Sequence, residues 1–212
     1  MDYGILAYTH RFWLSDCNDA NERQGMQQWA SLFFPAEVLG SHIGPTKSHT
    51  TSRSHSLSVR AGTAMFGHLG IEWDVRQATE QESIELKKLV ELHKRLRPVI
   101  HQGIRRPLKT TDKHQLAFSI EYQDQLLVSI FQSLMPESSV PAALKLPQLD
   151  ESAKYEISVL IEAEHTGHLM KRKPVWMHNK TKIFSGDILM HIGLPLPILD
   201  PESLIVLQFS KC

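Results

Sequence analysis

The sequence predicts an α/β plus all-β chain, on three observations. Up to about residue 108, short apolar runs alternate with stretches whose apolar residues recur at i, i+3, i+4 and i+7. From about residue 113, compact apolar or alternating runs are separated by Pro, Gly, Asp and Ser, the pattern of short antiparallel strands. Between two of the early segments lies a long polar loop, Thr46 to His55, of the kind on which α/β folds build their sites.

In chain order, Tyr3 to Leu14 reads as a turn at Gly4 and then a strand ending in Phe12-Trp13-Leu14. Asp19 and Glu22 have capping-box spacing, and Met26, Trp29, Ala30 and Phe33 form the apolar face of the helix that follows, stopped by Pro35. Val38 to Ile43 is a second strand, leading into Gly44-Pro45 and the polar loop. Leu57, Ala61, Ala64, Met65 and His68 suggest a small-residue helix with Gly70 as its C-cap, and Ile71 to Asp74 a brief extended piece. Thr79 and Glu82 open a further capping box. Leu86, Leu89, Val90, His93 and Leu96 mark the clearest helix, expected to end at Pro98.

Arg105 to Lys113 reads as a linker. Strands follow at Ala117–Tyr122, Leu126–Phe131, Lys154–Ile161, Ile188–Ile192 and Leu204–Phe209, suggesting an antiparallel sandwich. The expected domains are therefore 1–108 and 113–212. An α/β piece with two or three strands leaves sheet edges unpaired, so the chain reads as the C-terminal part of something larger.

Composition narrows the function. Lys plus Arg and Asp plus Glu number 23 each, which argues against nucleic acid or an anionic membrane as partner. Cys17 and Cys212 make no disulfide framework and fit a reducing compartment, so a cytoplasmic location is expected. No apolar run approaches the roughly 18 residues of a membrane span.

The chemistry concentrates in Phe12 to Gln24, where carboxylates and an indole meet between a strand and a helix. From spacing alone Asp16 reads as a second cap or a solvated turn carboxylate. Asp19 is first a helix cap and second a ligand contact. Trp13 fits core packing or a stacking platform equally. His42, His49 and His55 lie seven and six residues apart with no Cys or acidic partner interleaved, so no metal is expected; with Arg53 they should shape the loop. His68 and His93 are expected in the core.

Several strings taken together, Asp2-Tyr3-Gly4-Ile5-Leu6, Phe12 to Ala20, Gly40-Ser41-His42-Ile43-Gly44-Pro45, Ser48 to Arg53 and Leu69-Gly70-Ile71-Glu72-Trp73-Asp74, resemble the α-galactosidases of glycoside hydrolase family 36. The likeness continues to Leu194-Pro195-Leu196-Pro197 and covers essentially the whole chain. It implies the last strands and helices of a (β/α)8 barrel followed by a C-terminal β-sandwich. It also implies a retaining mechanism, with an Asp nucleophile in a Lys-Trp-Asp context and an Asp acid/base in Ser-Asp-x-x-Asp-Ala. The second motif matches Ser15-Asp16-Cys17-Asn18-Asp19-Ala20 and places the acid/base on Asp16. The first has no counterpart, since Trp73-Asp74 follows Glu72 and belongs to a different string.

The resemblance thus implies catalytic Asp16, substrate-binding Trp13, Asp19 and His42, α-galactosides such as melibiose or raffinose as substrate, and no cofactor. A separate polypeptide supplying the rest of the barrel, or a homo-oligomer, would complete the protein, and the chain alone should be inactive. The alternative is a noncatalytic carbohydrate-binding or assembly subunit of a split glycosidase.

Overall fold

A computed structural model describes residues 3–163, 173–179 and 182–212. The chain forms two compact units, Met1–Gln102 and Gly103–Cys212. No helix among the described residues is long and apolar enough to cross a membrane.

The first unit is built on a parallel sheet of three strands in sequential order, β1 (Phe12–Trp13), β2 (Leu39–Ile43) and β3 (His68–Ile71). Parallel neighbours need crossover connections, and α1 (Ala20–Ala30) and α2 (Leu57–Ala64) supply them. α3 (Glu80–Gln102) follows β3. Thr79 and Glu82 exchange backbone and side-chain hydrogen bonds at its start, a complete capping box.

Several local expectations are corrected. Gly4 does not break the chain into a simple turn, because Tyr3–Ala7 is a short 3-10 helix, which one glycine does not forbid. Gly70 is no C-cap: α2 ends at Ala64, and Gly70 lies within β3 opposite His42. His68 is exposed at the start of β3 rather than buried on a helix. α3 runs through Pro98. The lost hydrogen bond costs about 3 kcal/mol, and burial of Val99 and Ile100 in the next turn offsets it.

The orientation of α1 is the largest difference. Its buried residues are Ala20, Arg23, Gln24 and Gln27, whereas Trp29 and Phe33 are 69% and 61% exposed. Buried amides are tolerated because they are paired: Gln24 Nε2 donates to Thr63 Oγ1 at 2.8 Å, and Gln27 Nε2 to Ser41 Oγ at 2.6 Å. Trp29, Leu32, Phe33 and Tyr8 are left exposed, while Ala30 packs against Phe12, Phe34 and Leu39.

The second unit is one six-stranded antiparallel sheet in the order β4-β5-β6-β9-β7-β8. Its strands are β4 (Ile104–Pro107), β5 (Gln115–Tyr122), β6 (Gln125–Gln132), β7 (Lys154–Ala163), β8 (Ile183–Ser185) and β9 (Ser203–Lys211). The stretch read as the start of a linker is therefore β4, hydrogen-bonded to β5. Ile188–Ile192 is a π-helical turn, not a strand. Gly193 N–H closes it on Ile188 O at 2.8 Å, and Leu189 turns inward while Ile192 stays exposed. Leu144, Leu146, Leu189, Leu194 and Trp176 pack on Val128, Ile130, Ile205 and Leu207 to make this unit's core.

Candidate active site

Parallel strands deliver all their carboxyl ends to one edge, and α/β sites form there. Leu14, Ser15 and Asp16 follow β1, His42 precedes the last residue of β2, and Glu72 follows β3. Trp13 is half-buried. The His42 imidazole stacks on it with ring centroids 4.2 Å apart, and the Arg23 guanidinium lies 4.0 Å from its ring centroid. A Cβ at Gly40 would come within 2.8 Å of Phe12 O and 3.2 Å of Trp13 Cε3, so the missing side chain lets the indole lie across β2.

Arg23 is almost fully buried, with Nη2 donating to Ser15 O at 2.8 Å, the carbonyl just before Asp16. Its Nε and Nη1 find no partner among the described residues. Burial lowers the guanidinium pKa, and nearby Cys17, Glu72 and Asp16 oppose that shift. The turn is pinned again by Cys17 N–H on Ser15 Oγ at 3.1 Å, and Cys17 Sγ lies 3.1 Å from Thr50 Oγ1. Asp16, at the apex, is exposed, and its carboxylate makes no hydrogen bond to the described residues.

Asp19 has the opposite character. Its side chain has no solvent-exposed surface. Oδ1 caps α1 by accepting Asn21 N–H at 2.9 Å and Glu22 N–H at 3.1 Å, Thr51 Oγ1 donates to Oδ2, and Arg53 Nη1 reaches Oδ1 at 3.3 Å. Burial by itself would raise its pKa. The bonds from Thr51 and Glu22 and the charges of His55 and Arg53 outweigh burial and lower it. Glu22 does not complete a capping box, because its carboxylate turns to Arg53 at 2.7 Å.

The polar loop is held from the other side by buried Arg60. It donates to His55 O at 3.1 Å, Gly44 O at 2.6 Å and Thr46 Oγ1 at 3.2 Å. Glu72 Oε2 accepts from His42 Nδ1 at 2.9 Å and from Asn18 Nδ2 at 3.4 Å.

Of the residues singled out in the sequence, Trp13 and His42 therefore stack, Asp16 projects from the turn beyond β1, and Asp19 is enclosed as cap and loop anchor. Asp74, in the sole Trp-Asp pair, binds Arg76 at 2.8 Å and caps a 3-10 turn. Sequence reasoning missed Arg23 and Glu72. Arg23 lies at the margin of the face marked by Met26 and Ala30, where a charged residue is expected to reach solvent, and only the side chains around it reveal its burial.

The parallel βα units thus gather a carboxylate, an indole and an imidazole at one carboxyl edge, where α/β proteins build their sites. The Melibiase family model matches residues 1–103, and the glycosyl hydrolase family 36 C-terminal domain matches residues 115–207. The chain belongs to glycoside hydrolase family 36.

An α-galactosidase of Escherichia coli is 38% identical across 100% of this chain, which spans 31% of that protein. The bifunctional α-galactosidase/sucrose kinase AgaSK of Mediterraneibacter gnavus is 29% identical over 95% of this chain and 20% of its own length. Among solved structures, the α-galactosidase AgaA of Geobacillus stearothermophilus in complex with 1-deoxygalactonojirimycin superposes with a TM-score of 0.82 at 26% identity, covering 100% of this chain and 27% of that one. The chain thus spans less than a third of each of these relatives.

Proposed function

We propose that this chain forms the last βα units of a (β/α)8 barrel and the C-terminal β-sandwich of a retaining α-galactosidase. That enzyme removes terminal α-D-galactosyl residues from oligosaccharides such as melibiose or raffinose. The observation that carries the assignment is the contrast between two aspartates three residues apart. Asp16 is exposed just past the carboxyl end of β1 with no hydrogen bond to its carboxylate among the described residues, while Asp19 is enclosed by four donors.

Retaining hydrolysis uses two carboxyl groups about 5 to 5.5 Å apart. As acid, Asp16 gives its proton to the glycosidic oxygen as the bond to the anomeric carbon breaks and the nucleophile's carboxylate bonds to that carbon. As base, it takes a proton from the water that releases galactose. The sequence has no Lys-Trp-Asp string, so the attacking carboxylate belongs to residues outside these 212. The other units of the barrel, from the same or a separate polypeptide, cover the open edge of β1. Trp13 and His42 line the sugar subsite, and Asp19 serves it by holding the loop that carries Thr51 and Arg53.

The purified chain should not hydrolyse an aryl α-galactoside, and turnover abolished by Asp16→Asn in the isolated chain would overturn the proposal. In the enzyme completed with the segment bearing the nucleophile, Asp16→Asn should slow hydrolysis of raffinose by about 10²- to 10⁴-fold. The loss should be much smaller for a dinitrophenyl galactoside, whose leaving group needs no proton. Equal losses on both substrates would remove Asp16 from the acid role.

A further inference from the structure

We propose that Glu72 is a positioning residue that fixes the tautomer of His42, so that the imidazole presents Nε2 to the sugar as a hydrogen-bond acceptor. This rests on the reading of the strand ends as a galactoside site. Glu72 Oε2 lies 2.9 Å from His42 Nδ1. An ionised carboxylate only accepts, so the proton between them sits on Nδ1, and in the neutral ring Nε2 is then a lone-pair acceptor. Nε2 has no hydrogen-bond partner among the described residues.

The rest of the geometry serves the same end. Glu72 N–H donates to Ile43 O at 2.9 Å, fixing the residue just past β3, beside the end of β2 that carries His42. Asn18 Nδ2, on the same turn as Asp16, reaches the same carboxylate oxygen at 3.4 Å. The ring plane is set by Trp13, 27° from parallel. Gly70 makes room for it: a Cβ there would stand 2.5 Å from His42 Cδ2 and 2.8 Å from Nε2. A neutral acceptor held in this way selects a ligand hydroxyl and disfavours a deoxy or O-methyl analogue at that position.

The test is long-range proton–nitrogen NMR of the ¹⁵N-labelled chain at a pH where imidazole is neutral, with His42→Gln assigning the resonances. The unmodified chain should show His42 as the Nδ1–H tautomer. In Glu72→Ala the two ring nitrogens should exchange their positions in the spectrum as the Nε2–H form takes over. In Glu72→Gln, whose amide oxygen still accepts, the Nδ1–H form should persist, which separates loss of the acceptor from loss of the fold.

An Nε2–H form in the unmodified chain, or an unchanged tautomer in Glu72→Ala, would refute the proposal. Both readings are taken without substrate and are independent of Asp16. If the tautomer responds as expected but galactose leaves the His42 signals unmoved in the completed enzyme, the tautomer assignment stands and the sugar-site reading fails.

Discussion

Arg53 and Asp19, 34 residues apart in sequence, meet at 3.3 Å, and through this contact the start of α1 and the polar loop after β2 become one structure. Removing the carboxylate takes away the helix cap and the acceptor that Thr51 and Arg53 share, while Arg53 keeps its bond to Glu22. Asp19→Ala should therefore destabilise the chain by about 2 to 4 kcal/mol. Asp16→Asn should stay within about 0.5 kcal/mol of the parent, as exposed substitutions do. Urea denaturation followed by circular dichroism measures both, and equal losses would contradict the division of labour drawn between the two aspartates.

The first unit should weaken in acid through His93. Burial pushes this imidazole down to about 4, against the opposing effect of its hydrogen bond to Met65 O. The folded-state value is depressed below 6.5, so the unfolded chain binds the proton first as pH falls. Stability contributed by neutral His93 is present above about pH 6.5 and is lost progressively toward pH 4. The loss approaches about 3 kcal/mol. His93→Gln should flatten the pH dependence of the denaturation midpoint across that window.

A methyl group at Gly70 collides with the His42 ring. Gly70→Ala should push the imidazole off Trp13 and raise the KM of the completed enzyme about tenfold, equivalent to 1.4 kcal/mol, with a smaller effect on kcat. Unchanged kinetics would show that the ring need not hold its observed place.

The exposed apolar residues at and just beyond the end of α1 should make the isolated chain associate with itself. Trp29, Leu32 and Phe33 lie close together at the helix end, with Tyr8 nearby in sequence to β1. Trp29→Glu combined with Phe33→Glu should shift sedimentation toward the monomer, with little change in stability because neither side chain is in the core. In the completed enzyme the same pair should impair assembly.

How much was legible in the sequence can be argued residue by residue. The strands at Phe12-Trp13 and Leu39–Ile43, the Thr79–Glu82 capping box and the hairpin of β5 and β6 follow from periodicity and local chemistry, since they depend on neighbours along the chain. The Asp19 cap was visible for the same reason. Arg23 and Gln27 were not: a polar residue is buried only when a distant partner satisfies it, and those partners, Ser15 O and Ser41 Oγ, come from other elements. Pro98 misled because its local cost was outweighed by burial farther along, and Ile188–Ile192 because a short apolar run fits a strand and a buried turn equally.

By itself the sequence determined the order of an α/β part and an all-β part, and, through its motif strings, the family. Tertiary structure alone decided which of two aspartates is enclosed and which is exposed, that His42 lies on Trp13, and that Glu72 reaches His42. The physical reason is that motif spacing specifies residue types along one chain. Burial, stacking and proton position depend on groups that only the folded sheet brings together.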